Sequence, residues 1–379
     1  MDESADRPGT RRATRLAFFA AGFAMAAWAP LVPFAKGNAG VDEAGLGLML
    51  LCLGLGSLVA MPVTGVLAAR IGSRTLILGG GAGLVAVLPV LVLVGDPLAL
   101  ALALMAFGAA LGTMDVAMNI HAVEVERAAP RPLMSGFHAM FSLGALVGAG
   151  GVTLLLTLGL APVGAAAGAS AVTLGCLIWA APHLLRARGG EPAPFVLPRG
   201  VVLWLAALAA ITFLVEGAML DWGALLILAK GVLSQAQAGL GYMLFSVAMT
   251  IGRLTGDRIV AAAGPRRTLI AGGVLGVAGL ALMVAAEGVW AVLAGFALVG
   301  FGASNIVPVL FSLTGRQNVM PSGLAVAAVV TVGYAGILIG PALIGFVADA
   351  TGLPAAFGLL AVLLAMVPAA TGIITRTRG

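Results

Sequence analysis

Apolar residues run along this chain in long blocks, and the polar residues are confined to brief gaps between them. The blocks span roughly 20 to 29 residues, the length a helix needs to cross a bilayer. Read in order they predict twelve transmembrane helices. The gaps are very short except at 182–200, a stretch rich in Pro, Gly and Arg that reads as a linker. The expected organisation is an amino-terminal segment 1–15, a six-helix bundle 16–181, the linker 182–200, a second six-helix bundle 201–375 and a tail 376–379. The fold class is therefore an all-α membrane protein of twelve transmembrane helices in two pseudo-symmetric six-helix bundles.

The charges give this pattern a direction. When the gaps are assigned alternately to the two sides, all the arginines fall on one side, from Arg7, Arg11, Arg12 and Arg15 through Arg127 and Arg131 to Arg376 and Arg378. The other side receives only Lys36 and Lys230. Basic residues stay on the cytoplasmic face during insertion. The expectation is a multi-pass protein of the bacterial inner membrane with both termini in the cytoplasm. Arg11-Arg12 ahead of an apolar stretch mimics an export signal, but the residues that follow form another span, so the first helix stays in place.

Composition then removes several function classes. Apolar residues make up 61% of the chain and charged residues only 9%, with a net charge of +5. In a soluble chain such an excess of base suggests nucleic acid. Here it is the topogenic signal, and no basic patch is interleaved with exposed aromatics, so no nucleic-acid partner is expected. Cys52 and Cys176 both sit inside apolar runs and read as packing residues. The 3 histidines form no HExxH-type array, so no metal site is expected. A phosphate-cradling GxxxxGK[ST] loop is missing, and so is any nucleophile–base constellation. The chain is read as neither an enzyme nor an ATPase, without cofactor, and driven by a proton gradient.

The two halves are copies. Ala24-Met25-x-x-Trp28 recurs as Ala218-Met219-x-x-Trp222, Lys36-Gly37 as Lys230-Gly231, and Ala44-Gly-Leu-Gly47 as Ala238-Gly-Leu-Gly241, all in one register. Arg74-Thr-Leu-Ile77 repeats as Arg267-Thr-Leu-Ile270, and Gly112-x-x-Asp115 faces Gly302-x-x-Asn305. Parallel six-helix repeats of this kind resemble the plan of the major facilitator superfamily, which places a substrate cavity near the midplane between its halves. Small-xxx-small pairs such as Gly108/Gly112, Gly144/Gly148, Gly272/Gly276 and Gly336/Gly340 fit close helix approach in lipid.

Two turns strengthen the resemblance. Gly65-Val-Leu-Ala-Ala-Arg70-Ile-Gly72-Ser-Arg74 is similar to the superfamily's loop signature, although Ala69 stands where the family has an aspartate. The second copy, Gly252-Arg253-Leu-Thr-Gly256-Asp257-Arg258, keeps the acid. The resemblance implies a cytoplasmic gate formed by Arg70, Arg74, Arg253, Asp257 and Arg258.

Acids inside the spans carry the chemistry. A carboxyl in a bilayer costs a few kcal/mol on insertion scales and marks a pathway or a proton relay. Asp115 lies in span four, Glu216 at the centre of span seven, and Asp221 about 7 Å further along that helix and rotated by roughly 140°. No basic residue is expected at comparable depth, so Asp115 and Glu216 are the candidate proton-coupling groups. Gly112-Thr-Met-Asp115-Val-Ala-Met-Asn119 resembles the span-four motif of the fucose:proton symporter family, and residues four apart share a helix face. Span ten, Asn305-Ile-Val-Pro308-Val-Leu-Phe-Ser312, resembles the same branch. The first span lacks the mid-membrane acid of that family, which puts fucose itself in question. Asn119, His138 (read equally as a partner of Asp115 or Asn119 and as a structural histidine), Asp221, Asn305 and Tyr334 are further substrate-binding candidates. So are Trp28 and Trp222, whose faces suit a sugar ring. His121, Glu124, Glu126 and Arg127 read as a solvated helix end.

The resemblance implies proton-coupled symport of a sugar or other small polar solute by a monomer. The alternative is a proton antiporter exporting drugs or metabolites. Span five lacks the exporters' Gly-Pro motif, which occurs instead as Gly340-Pro341 in span eleven.

Overall fold

A computed structural model describes residues 7–41, 43–186, 197–233 and 240–375. Arg188 and most of the linker, Ala238 of the repeat, and Arg376 and Arg378 of the tail lie outside the described residues. Among those described, every regular element is helical. In chain order the helices are α1 (Pro8–Ala27), α2 (Val32–Ala39), α3 (Glu43–Ile71), α4 (Ser73–Leu93), α5 (Pro97–Ala128), α6 (Met134–Thr157), α7 (Pro162–Ala180) and α8 (Val201–Asp221). They continue with α9 (Gly223–Ala229), α10 (Leu240–Ala285), α11 (Val289–Ala303), α12 (Ile306–Arg316), α13 (Ser322–Thr351), α14 (Leu353–Leu364) and α15 (Met366–Ile374).

Among the described residues, eleven helical runs are long and apolar enough to cross a membrane. The longest, α10, is two helices joined at Gly264 (φ 78°, ψ 161°), so the runs make twelve crossings. A side chain at that φ would crowd the preceding carbonyl, and Pro265 then starts the next helix with φ already set. The first helix begins earlier than its hydropathy suggests. Pro8 opens α1, so Arg11, Arg12 and Arg15 ride on the helix instead of preceding it.

The duplication is visible in the backbone itself. Of the glycines with positive φ, Gly40 pairs with Gly231 (both 63°), Gly72 (82°) with Gly264 (78°), and Gly159 with Gly352 (both 86°). Each pair closes the corresponding turn of its half, Gly40 lying three residues beyond Gly37, the repeat partner of Gly231. The chain divides into two compact units. One comprises Met1–Pro130, Phe137–Leu197 and Pro321–Ala327, the other Arg131–Gly136, Pro198–Met320 and Ala328–Gly379.

Within each unit the helices meet backbone to backbone along glycine seams. In the first unit a Cβ on Gly108 of α5 would run into the Leu53 carbonyl of α3, and one on Gly56 into the Met105 carbonyl. Ser57 donates to the Gly108 carbonyl at 2.7 Å across that seam. Gly144 and Gly148 of α6 lie on the carbonyls of Phe19 and Phe23 of α1. The second unit repeats the device, with Gly336 of α13 on the Ala210 carbonyl of α8 and Gly300 of α11 on the Phe245 carbonyl of α10. Lipid offers apolar side chains no drive to associate, so close backbone approach does the packing. The outward faces carry large apolar residues such as Leu146, Leu158, Ile178, Trp290 and Phe346.

Candidate functional site

In the first unit the site is built on α5. Asn119 is buried and donates its amide to the Asp115 backbone carbonyl at 2.9 Å and to the carboxylate at 3.2 Å. Its own Oδ1 is buried without a partner. Among the described residues no basic side chain pairs with Asp115. The bond from His138 to this pair does not form. Among the described residues Asp115 and Asn119 bond to each other, while the His138 ring meets Phe18 of α1 edge-on at 5.2 Å. Trp28 is buried where α1 gives way to a 3₁₀ turn, Ala29–Leu31, before α2. Pro30 and Pro33 remove the amide donors that would continue the helix there.

The second unit holds the larger polar cluster. Glu216 of α8 faces Arg253 of α10. The guanidinium Nη2 donates to the two carboxylate oxygens at 3.4 and 3.5 Å. This overturns the expectation that no cation reaches the depth of Glu216. It also removes Arg253 from the gate. Arg253 lies eleven residues before the Gly264 turn, about 16 Å into the span at 1.5 Å per residue. Arg253 therefore departs from the expected sorting of arginines to the helix ends. Arg253 is nearly enclosed, with 8% of its side chain accessible, whereas Glu216 in front of it retains 18%.

The other second-unit candidates lie on α8 and α13 and at two helix breaks. Tyr242 of α10 lies within electrostatic reach of Glu216, Arg253 and Asp221 and shares a hydrogen bond with Ser246. Asp221 is exposed. Trp222 stands at the break between α8 and α9, its indole N–H buried without a partner and its ring 3.4 Å from where a Cβ on Gly345 would sit. Asn305 stands at the break between α11 and α12 and donates to the Gly252 carbonyl at 3.1 Å. Tyr334 packs edge-on against Phe213 with centroids 6.3 Å apart.

The remaining gate candidates separate. The Asp257 carboxylate accepts the backbone N–H of Gly136, at the start of α6, at 3.1 Å. Arg74 donates to the Ala181 carbonyl at 2.9 Å and so closes the end of α7. Arg70 and Arg258 are exposed. Of the helix end read as solvated, Arg127 is exposed and Glu124 half-buried, whereas His121 and Glu126 are buried.

Sequence reasoning missed the position of Arg253 and the proximity of Tyr242 to it. A signal for both existed. Counting back from Gly264-Pro265 puts Arg253 three turns inside the helix, and Tyr242, eleven residues earlier, falls on the same face within about 20°. The signature-like run from Gly252 to Arg258 drew Arg253 into the loop instead.

Two six-helix units with carboxyls and an arginine held inside their spans define a multi-pass membrane transport protein. The sequence profile of the Major Facilitator Superfamily matches residues 217–378. An uncharacterized MFS-type transporter of Yersinia pestis is 50% identical over 381 aligned residues, which cover 99% of each chain. Among solved structures, the fucose:proton symporter of E. coli superposes with a TM-score of 0.77 at 17% identity, covering 99% of this chain and 100% of that one. A human organic anion transporter gives the same TM-score of 0.77 at 16% identity, covering 97% of this chain and 100% of that one. The chain belongs to the Major Facilitator Superfamily and is a transporter, not an enzyme.

Proposed function

We propose that this transporter moves a small, uncharged polar solute, a sugar or sugar-like molecule, together with protons by alternating access. The observation that carries the reading is the order of charges in the second unit. The more accessible group, Glu216, is acidic, and the cation behind it is enclosed. Exposed Asp221 adds a second acid on the same helix, and Asp115 of α5 is a third carboxyl within a span. An anionic solute would have to approach carboxylates to reach Arg253, at a cost in like-charge repulsion. Hydroxyl groups instead donate readily to carboxylates, and the face of Trp222 suits a sugar ring. A carboxyl at this depth costs a few kcal/mol and repays it as an exchangeable proton site.

In this reading Glu216 or Asp115 takes up a proton from outside, the solute binds, and loss of the proton to the cytoplasm accompanies release. The arginine-rich ends face the cytoplasm of a bacterium, both termini included, and one chain suffices. The test is transport by purified protein in liposomes containing the full chain. A panel of radiolabelled monosaccharides identifies a solute, and a pH dye outside the vesicles then follows protons. Wild type alkalinises the outside on solute addition, and Glu216→Gln or Asp115→Asn abolishes the signal. Equal signals from all three proteins would contradict proton coupling at these groups.

A further inference from the structure

Spans one and seven each finish in a short helix set off by a break. α1 ends at Ala27 and, past the turn Ala29–Leu31, α2 follows; α8 ends at Asp221 and α9 begins at Gly223. Both short helices rest on later helices of their own unit. In the second unit a Cβ on Gly223 would meet the Phe296 ring of α11 at 2.8 Å. One on Gly241 of α10 would meet that ring and the Ile227 side chain of α9, and Leu226 and Ile227 are buried. In the first unit Ala35 and Ala39 of α2 are buried. The Asn38 carbonyl there lies 3.5 Å from where a Cβ on Gly95, just ahead of α5, would sit.

The far end of each short helix is then tied by one side chain. Asn38 Nδ2 donates to the Val92 carbonyl of α4, and Lys230 Nζ to the Val284 carbonyl of α10, each at 2.8 Å. The two carbonyls hold the same place, one residue before the last of a helix, since α4 ends at Leu93 and α10 at Ala285. The closing bonds of these helices, from the Val94 N–H to Val90 and from the Ala286 N–H to Leu282, stop short of them. Carbonyls in a last turn have no helical donor, so each tie satisfies an acceptor the helix leaves over. Each tie also stands close to a glycine of φ 63°, Asn38 two residues before Gly40 and Lys230 one before Gly231. The bond is thus repeated although the side chain is not, an amide in one unit and an ammonium in the other. The ammonium also places a charge at the negative end of a helix dipole.

We propose that Lys230 is a positioning residue that fastens α9 to the end of α10, so that α9 moves with α10 and α11 and the bending of span seven is confined to the break at Trp222. Asn38 does the same for α2 on α4, with the break at Ala29–Leu31. Glu216 and Asp221 lie on the α8 side of the Trp222 break. A tilt of α8 therefore carries these carboxyls with it and leaves α9 in place. The proposal needs neither a solute nor a titrating group, so it stands apart from the transport reading.

The experiment is hydrogen–deuterium exchange of the full-length protein in lipid nanodiscs. Lys230→Met keeps the apolar stem and removes the donor. Exchange across 223–229 then rises on the order of tenfold, as expected for losing a hydrogen bond from a charged group, while 201–221 keeps its wild-type rate. Lys230→Arg, which retains a cationic donor on a long stem, keeps the wild-type rate across 223–229. Asn38→Leu raises exchange across 32–39 by about threefold, the smaller loss of a neutral bond. An increase confined to 280–288 in Lys230→Met would make the lysine a cap of α10 alone and overturn the proposal. So would a uniform increase from 201 to 229, the behaviour of a span that moves as one body, or no change anywhere. Asn38→Leu carries the same test in the other unit should Lys230→Met fail to fold, and unchanged exchange across 32–39 would by itself overturn the shared device.

Discussion

His121 shows how single polar groups are settled inside this protein. It is fully buried on α5, yet both ring nitrogens are used. Nε2 accepts the Leu185 N–H at 3.0 Å, which fixes the neutral tautomer with its proton on Nδ1. That proton points to the Thr14 hydroxyl at 3.3 Å, and Thr14 donates on to the Thr10 carbonyl at 2.8 Å. One ring thus ties α1, α5 and the segment after α7 together. His121→Ala leaves the Leu185 N–H buried without an acceptor, at a cost of about 1–3 kcal/mol. A melting temperature in detergent that is lowered relative to wild type is the expected result, and no change would refute the role. From sequence this residue reads as part of a solvated end because its neighbours Glu124, Glu126 and Arg127 are charged. Its partner lies sixty-four residues away, beyond the reach of any local pattern. The mid-span acids were legible for the opposite reason, since a carboxyl in an apolar run is conspicuous by itself. The cation opposite Glu216 was not, because Arg253 is adjacent in sequence to charges that do belong to a turn.

At the scale of helices, the spans and the duplication could be read directly, since bilayer thickness fixes the length of each apolar run. The breaks within spans were harder. Those at Ala29–Leu31 and before Ile306 have nearby prolines, Pro30, Pro33 and Pro308, whereas the one at Trp222 has none. Glycine spacing flagged the seams but could not tell a contact from an open face. Gly108 presses on the Leu53 carbonyl, while a methyl group added at Gly79 would meet nothing within 4 Å. The two therefore respond oppositely to the same change. Gly79→Ala stabilises by about 0.5–1 kcal/mol through helix propensity, and Gly108→Ala destabilises by forcing α3 and α5 apart. Thermal denaturation of the purified variants checks both signs, and parallel shifts would contradict the seam.

For the molecule as a whole, a duplicated scaffold carries unduplicated chemistry. The turns Gly40/Gly231, Gly72/Gly264 and Gly159/Gly352 keep the symmetry of the repeat. Asp115 and Glu216 depart from it, since their counterparts are Asn305 and Gly22. The proposed cycle turns on Glu216 carrying the coupled proton. The most direct measurement compares two transport modes of Glu216→Gln in the same liposomes, using a radiolabelled monosaccharide that wild type accepts. Glutamine mimics a permanently protonated carrier, so equilibrium exchange of labelled for unlabelled solute persists. Accumulation driven by an imposed proton gradient is lost, because the carrier no longer returns a proton. Gradient-driven accumulation at the wild-type level in Glu216→Gln would contradict that role for Glu216.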